Sequence, residues 1–279
     1  MRSTRRVVAG CLIITSLGCA AQSPPPAGEV KGDAWVHTRS SLQAAVDQAD
    51  VFLPPAATGG QAFFGKLADA PRMGGRKVPV VVFLHGSSGL GLKAIGEWQQ
   101  WLGSLGYASV APDSFALAGH VTYKSPIDKA SYERIHQLRS SEIDPVLDAL
   151  AGQPWADGSR LILAGTSEGA VAVARYPGRR FAARIVYSWS CEANYFVESP
   201  RNAFEPDKPV LNVISSTDPF FSKSNPWLGN PDAAGHCGAA LKDNPRAAVV
   251  LVPNAPHTLL NLPAARMATA GFLSQIAGP

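Results

Sequence analysis

Gly165-Thr166-Ser167-Glu168-Gly169 sets a serine between two glycines, after the apolar run Arg160–Ala164 and before the small-residue run Ala170–Arg175. Strand, sharp turn and helix in that order hold a serine hydroxyl at the tip of a nucleophile elbow. The glycines have a steric reason: the serine takes a strained backbone, and flanking side chains would clash across the tight turn. A serine hydroxyl attacks poorly until a base removes its proton, so a histidine must come within hydrogen-bond reach.

His257 is the expected base. It follows the apolar run Ala247–Val252, and Pro256 biases Ala255 to extended backbone and keeps that loop out of helix. The rival, His236, precedes that run and fits the chain order poorly. Asp218 is the expected acid, orienting the imidazole and stabilising it when charged. It ends Pro209–Ile214 plus Ser215-Ser216-Thr217, where Thr217-Asp218-Pro219 is also good turn chemistry in its own right. Glu192, near the end of the preceding strand, is the rival acid; Asp113 comes too early in the sheet and is expected to cap its own loop. Two backbone N–H groups, those of Ser87 and Glu168, are expected to form the oxyanion hole. His85 is expected to brace the loop behind it. Whether the Glu168 carboxylate is solvated or borders the site stays open.

These residues need a sheet edge to hold them. Val78–Leu84, Gly106–Pro112, Ser159–Ala164, Ala183–Trp189, Pro209–Ile214 and Ala247–Val252 read as strands separated by helical patterns, Val78–Leu84 and Pro209–Ile214 as fully buried ones, which implies βαβ units. Gln61–Ala68 reads as an earlier strand. Ala94–Leu102 is a helix with Ile95, Trp98, Trp101 and Leu102 on one face. Ser131–Leu150 reads as a long helix with a kink or break at Pro145. Open parallel sheets build their sites at the carboxyl edge, and Ser167, Asp218 and His257 each follow a strand. The longest irregular stretch, Pro219–Asn244, comes directly after the acid, and there is no room for a lid domain.

The 279 residues, 46% hydrophobic and only 16% charged, suffice for one sizeable core. Arg2, Arg5 and Arg6 account for most of the formal charge; without them +4 falls to +1, which gives no argument for nucleic acid. Those arginines precede the apolar run Val7–Leu17, too short to span a bilayer, so residues 1–21 read as an export signal. Ser16-Leu17-Gly18-Cys19-Ala20 resembles a lipobox with Cys19 as the lipidated residue, although Ser16 stands where leucine is usual. Ordinary cleavage near Ala20 or Ala21 is the alternative, and Thr4-Arg5-Arg6 also admits a twin-arginine signal. Residues 22–33 read as a Pro-rich tether, and 34–279 as the folded domain. In an exported chain Cys191 and Cys237 suggest a disulfide; two buried thiols are the alternative. No spacing suggests a metal site and no phosphate loop follows a first strand, so no cofactor is expected.

With these motifs in hand, residues 60–277 resemble the α/β-hydrolase superfamily: a mostly parallel sheet covered by helices on both faces, without a large lid. Val110-Ala111-Pro112-Asp113-Ser114-Phe115, the Tyr132-Glu133-Arg134 helix and the compact length make the chain most similar to dienelactone-hydrolase-like proteins. Members proper of that family use a cysteine nucleophile and are cytoplasmic, whereas this chain has Ser167 and a leader. The resemblance therefore implies the fold and hydrolytic chemistry, and leaves the substrate open.

The expected activity is that of an exported serine hydrolase of the cell envelope or periplasm, cleaving small-molecule or polymer-end esters through an acyl-enzyme. It would touch the membrane only through an N-terminal lipid anchor. A peptidase or amidase on the same fold is an alternative, as is an inactive binding lipoprotein. Trp189, Tyr195, Phe196, Phe220, Phe221 and Trp227 fall in segments expected around the catalytic edge, where they could grip an acyl or aryl group.

Overall fold

The computed structural model describes residues 25–72 and 74–277. The expected export signal 1–21, Cys19 and the start of the tether lie outside the described residues. Ten strands and eight helices follow in chain order among the described residues. They are β1 (Glu29–Lys31), α1 (Arg39–Asp47), β2 (Asp50–Leu53), α2 (Pro55–Thr58), β3 (Phe63–Lys66) and β4 (Val78–Leu84). Next come α3 (Lys93–Ser104), β5 (Ala108–Ala111), β6 (Thr122–Lys124), α4 (Lys129–Ser141), α5 (Ile143–Ala151) and β7 (Ala156–Thr166). The last are α6 (Glu168–Arg175), β8 (Ala183–Tyr187), β9 (Val210–Ser215), α7 (Gly238–Leu241), β10 (Ala247–Val252) and α8 (Pro263–Ala277).

Eight strands form one sheet in the order β10-β9-β8-β7-β4-β5-β2-β3, parallel except for β2, which runs antiparallel to both β5 and β3. The β4 sequence Val-Pro-Val-Val-Val-Phe-Leu is buried throughout, as a central strand covered on both faces must be. Its side chains alternate between two cores. Val80, Val82 and Leu84 face the cluster that holds Ile143, Leu147 and the α6 alanines and valines. Val81 and Phe83 face Ile95, Trp98, Leu102 and Leu273, from α3 and α8. The Phe83 and Trp98 rings are 4.7 Å apart.

From β4 the chain adds β5 on one side and later β7 on the other, so the strand order reverses between β4 and β7. At such a switch point the loops leaving adjacent strands diverge and open a crevice at the carboxyl edge. The loops carrying Ser87 and Ser167 flank it.

Three sequence expectations are corrected. The tether is shorter than 22–33, because β1 pairs antiparallel with β6, Val30 opposite Tyr123, and the Asp33 and Ala34 amides donate to Gly119 O at 3.1 and 2.9 Å. The break expected at Pro145 in the 131–150 helix falls at Glu142, where α4 and α5 meet. Pro145 lacks an N–H and its ring crowds the Ser141 carbonyl, so the break falls a turn before the proline. Finally, α1 and β2, absent from the sequence reading, occupy the stretch before the first expected strand.

Candidate active site

Ser167 sits between β7 and α6 with φ 53° and ψ −117°, a region an L-residue occupies only under constraint. Two constraints are visible. Its amide donates to Tyr187 O at 3.0 Å, and the flanking glycines let α6 approach the sheet. A Cβ on Gly169 would lie 2.2 Å from Leu84 O, and one on Gly165 would lie 2.8 Å from the Gly169 backbone. Strand, turn and helix are thus locked at van der Waals distance. The turn after β4 closes against the same point, where a Cβ on Gly86 would sit 3.3 Å from Ser167 Cβ.

Asp218 and His257 come together from the ends of β9 and β10. Asp218 is wholly buried. Its Oδ1 accepts from the Phe220 and Phe221 amides at 2.9 and 3.0 Å, and its Oδ2 meets His257 Nδ1 at 2.7 Å. One oxygen builds the turn and the other orients the imidazole, so the turn-forming and orienting roles are the same feature. The His257 loop is fixed by Ser188 Oγ, donating to His257 O at 2.6 Å, and Ser215 Oγ, donating to Ala255 O at 2.7 Å. His257 and Ser167 line one cavity of about 280 Å³. Among the described residues no hydrogen bond joins them; such contacts commonly tighten only when substrate is bound.

The rivals are engaged elsewhere. Glu192 accepts from the Ala234 and Gly235 amides at 2.7 and 2.9 Å and so anchors the 219–244 loop. His236 Nδ1 accepts from the Gly238 amide at 3.0 Å. Asp113 Oδ1 accepts from the Phe115 amide at 3.0 Å, capping its own turn.

Ser87 lines the cavity in the turn after β4, and Glu168 is the first residue of α6. Both amides lack a hydrogen bond among the described residues, as donors reserved for a ligand would. Tyr123, Tyr195, Phe196, Phe220 and Phe221 form the cavity's aromatic wall. Trp189 and Trp227 stand behind it, 4.9 Å from the Phe221 ring and 4.5 Å from the Tyr195 ring.

The chain belongs to the dienelactone hydrolase family. Residues 65–268 match that family's sequence profile, which makes the protein a hydrolase of α/β-hydrolase fold. Two solved structures share the architecture. A dienelactone hydrolase-like promiscuous phosphotriesterase from metagenomic libraries is 20% identical, with 82% of this chain and 98% of that one covered and a TM-score of 0.51. A putative dienelactone hydrolase from Klebsiella pneumoniae is 15% identical with the same coverage, 82% and 98%, and a TM-score of 0.52. At that identity they speak for the fold alone. Among curated proteins none matches this chain.

This dienelactone hydrolase family member also carries a buried polar cluster that the sequence did not reveal. Glu168 is buried, its Oε2 accepting from Tyr123 Oη at 2.9 Å and its Oε1 lying 3.5 Å from Arg139 Nη1. Arg139, wholly buried, also reaches Glu142 at 3.3 Å, and Glu142 accepts from Ser114 Oγ and faces His37 Nε2 at 3.3 Å. His85 Nδ1 donates to Gly86 O at 2.7 Å, and its Nε2 accepts from the Ser114 amide at 3.3 Å. Burial and the Arg139 charge push the His85 pKa well below its ordinary value, so the ring is a neutral brace. Burial raises the Glu168 carboxyl, opposed by Arg139 and the Tyr123 bond. Burial and the Glu168 charge hold the Tyr123 phenol well above the usual range. Only the i, i+3 spacing of Arg139 and Glu142 could have signalled any of this.

Cys191 Sγ and Cys237 Sγ lie 2.02 Å apart, with Cα atoms at 4.8 Å. Beside them Asn212, buried in β9, accepts from the Cys237 amide at 3.0 Å and donates to Val186 O and Trp189 O, both at 3.0 Å. No helix among the described residues is long and apolar enough to cross a membrane. Among them no group of three or more His, Cys, Asp or Glu side chains could hold a metal ion.

Proposed function

We propose that this protein is a serine hydrolase of carboxylic esters, with Ser167 as nucleophile, His257 as general base and acid, and Asp218 as the orienting carboxylate. The observation that carries this is the 2.7 Å contact from a buried, doubly amide-bonded Asp218 to His257 Nδ1, on the cavity that holds the strained Ser167. In that arrangement Nε2 takes the Ser167 proton as Oγ attacks the ester carbonyl. The resulting oxyanion faces the Ser87 and Glu168 amides. The imidazolium then protonates the departing alcohol. Water, deprotonated by the same Nε2, cleaves the acyl-enzyme and returns Ser167.

An activity-based fluorophosphonate is expected to label Ser167, with labelling lost in Ser167→Ala. With an aromatic-walled cavity of about 280 Å³ and no lid domain among the described residues, the substrates are soluble or polymer-end esters of short acyl chains. p-Nitrophenyl acetate and butyrate are expected to turn over, with kcat/KM falling for longer chains. A rise in kcat/KM to C12–C16 esters with a jump on micelles would mark a lipase and refute this reading.

Export to the cell envelope with lipidation at Cys19 is part of the proposal. The mass of the processed N-terminus is expected to show a diacylglyceryl cysteine; a free N-terminus near Ala20 or Ala21 would mean ordinary cleavage. In the exported protein Cys191 and Cys237 are expected to be joined, pinning the loop behind Asp218 and stabilising the fold by about 2–4 kcal/mol. Peptides carrying the two cysteines should resist alkylation until reduced; two labelled thiols before reduction would contradict the bond.

A further inference from the structure

We propose that the cavity selects uncharged esters and rejects acyl groups that carry a carboxylate. This rests on the ester-hydrolase reading above and narrows it to a substrate class.

Sixteen described residues line the cavity. Apart from His257 and the five aromatic residues, each is Gly, Ser, Thr, Leu or Ile, so none of the described lining residues brings a fixed cation to an anionic substrate. Arg139 does reach the region, through its contact with Glu168, but it is wholly buried and committed to Glu142 and Glu168. It lies outside the lining residues, and turning to a ligand would break its ion pairs with both carboxylates.

Of the two tyrosines that line the cavity, Tyr123 has its hydroxyl engaged, donating to Glu168 Oε2 at 2.9 Å, and the Tyr195 hydroxyl is buried and uncharged. Joined to the aromatic wall through Tyr123 is the Glu168 carboxylate, with the Arg139 guanidinium on its other oxygen. His85 and His120 beside them are held neutral by burial, the latter with its pKa lowered to about 4. A carboxylate entering an aromatic pocket loses its hydration and gains no counter-charge, and an unpaired buried anion is strongly disfavoured. A neutral aryl or alkyl group loses nothing comparable and gains contact with the aromatic rings.

The test compares methyl 3-(4-methylphenyl)propanoate with methyl 3-(4-carboxyphenyl)propanoate, which differ by one small substituent far from the ester and have similar intrinsic reactivity. With the wild-type protein at pH 8, kcat/KM is expected to favour the neutral ester by roughly 100-fold or more. Leu92→Arg, which adds a guanidinium to the cavity lining, is expected to shrink that ratio at least tenfold. A ratio is insensitive to the fraction of folded variant, so partial misfolding does not mimic the result. A wild-type ratio within about threefold of one would overturn the inference, as would a ratio unmoved by Leu92→Arg in the folded variant. p-Nitrophenyl acetate is assayed in the same preparation. Its turnover together with equal rates for the pair refutes charge selection alone, whereas no turnover of any ester refutes the ester-hydrolase reading.

Discussion

Replacing Ser167 or His257 by alanine is expected to lower kcat for p-nitrophenyl butyrate by a factor on the order of 10⁴ or more, with the fold intact. Either loss removes the whole proton-transfer and attack unit, which is why effects within such a unit are far from additive. Asp218→Asn is expected to be of similar size, because an amide at Oδ2 presents the imidazole with the wrong partner and tautomer. Asp218 Oδ1 also accepts two backbone amides, so this variant tests orientation more cleanly than alanine does. The rivals supply the contrast. His236→Ala is expected to retain activity, and Glu192→Gln to retain activity with a lower Tm, since Glu192 holds the 219–244 loop through two amides. An inactive His236→Ala beside an active His257→Ala would transfer the base role, and the corresponding pair of results for Glu192 and Asp218 would transfer the acid.

Arg139→Met is expected to be among the most destabilising single changes, costing about 3–5 kcal/mol. It would leave Glu142 and Glu168 buried together without their shared cation. In a domain of this size that corresponds to a fall in Tm of roughly 6–20 °C. The effect should depend on pH. Burial already raises the folded-state Glu168 carboxyl above its ordinary 4.5, and Arg139 opposes the rise. A carboxyl with a raised folded pKa contributes stability that is fully present below the unfolded pKa. That stability is lost as pH climbs through the folded pKa. Without Arg139 the folded pKa climbs further, so the deficit of Arg139→Met should be larger at pH 8 than at pH 4.5. Thermal melts of both proteins at the two pH values check this. A deficit under 1 kcal/mol, or one equal at both pH values, would refute it.

Much of the catalytic edge was legible in the chain because it is encoded locally. A strand, a strained turn and a helix are contiguous, so the Gly-x-Ser-x-Gly spacing carries its own steric explanation; β4, β8 and β9 announce themselves as buried apolar runs, and the edge strand β10 as an apolar run that is only partly buried. The same continuity made the places of Ser87 and Glu168 readable, in the turns after β4 and β7, since each position follows from its turn. Elements with weak local signal were missed or misdrawn. The three-residue β1 and β6 exist only because each satisfies the other's backbone groups, and the end of α4 was displaced because the proline acts on the carbonyl four residues earlier.

Sequence by itself determined which residues could supply nucleophile, base and acid, and in what order they leave the sheet. Tertiary structure decided which candidates of equal chemistry meet. Asp218 faces His257 and Glu192 does not, because that depends on which loop each carboxylate must close. It also decided the fate of Glu168, whose neighbours Tyr123 and Arg139 lie 45 and 29 residues away in the chain. A side chain's charge environment is a sum over atoms brought close by folding, and no spacing along the chain encodes that sum.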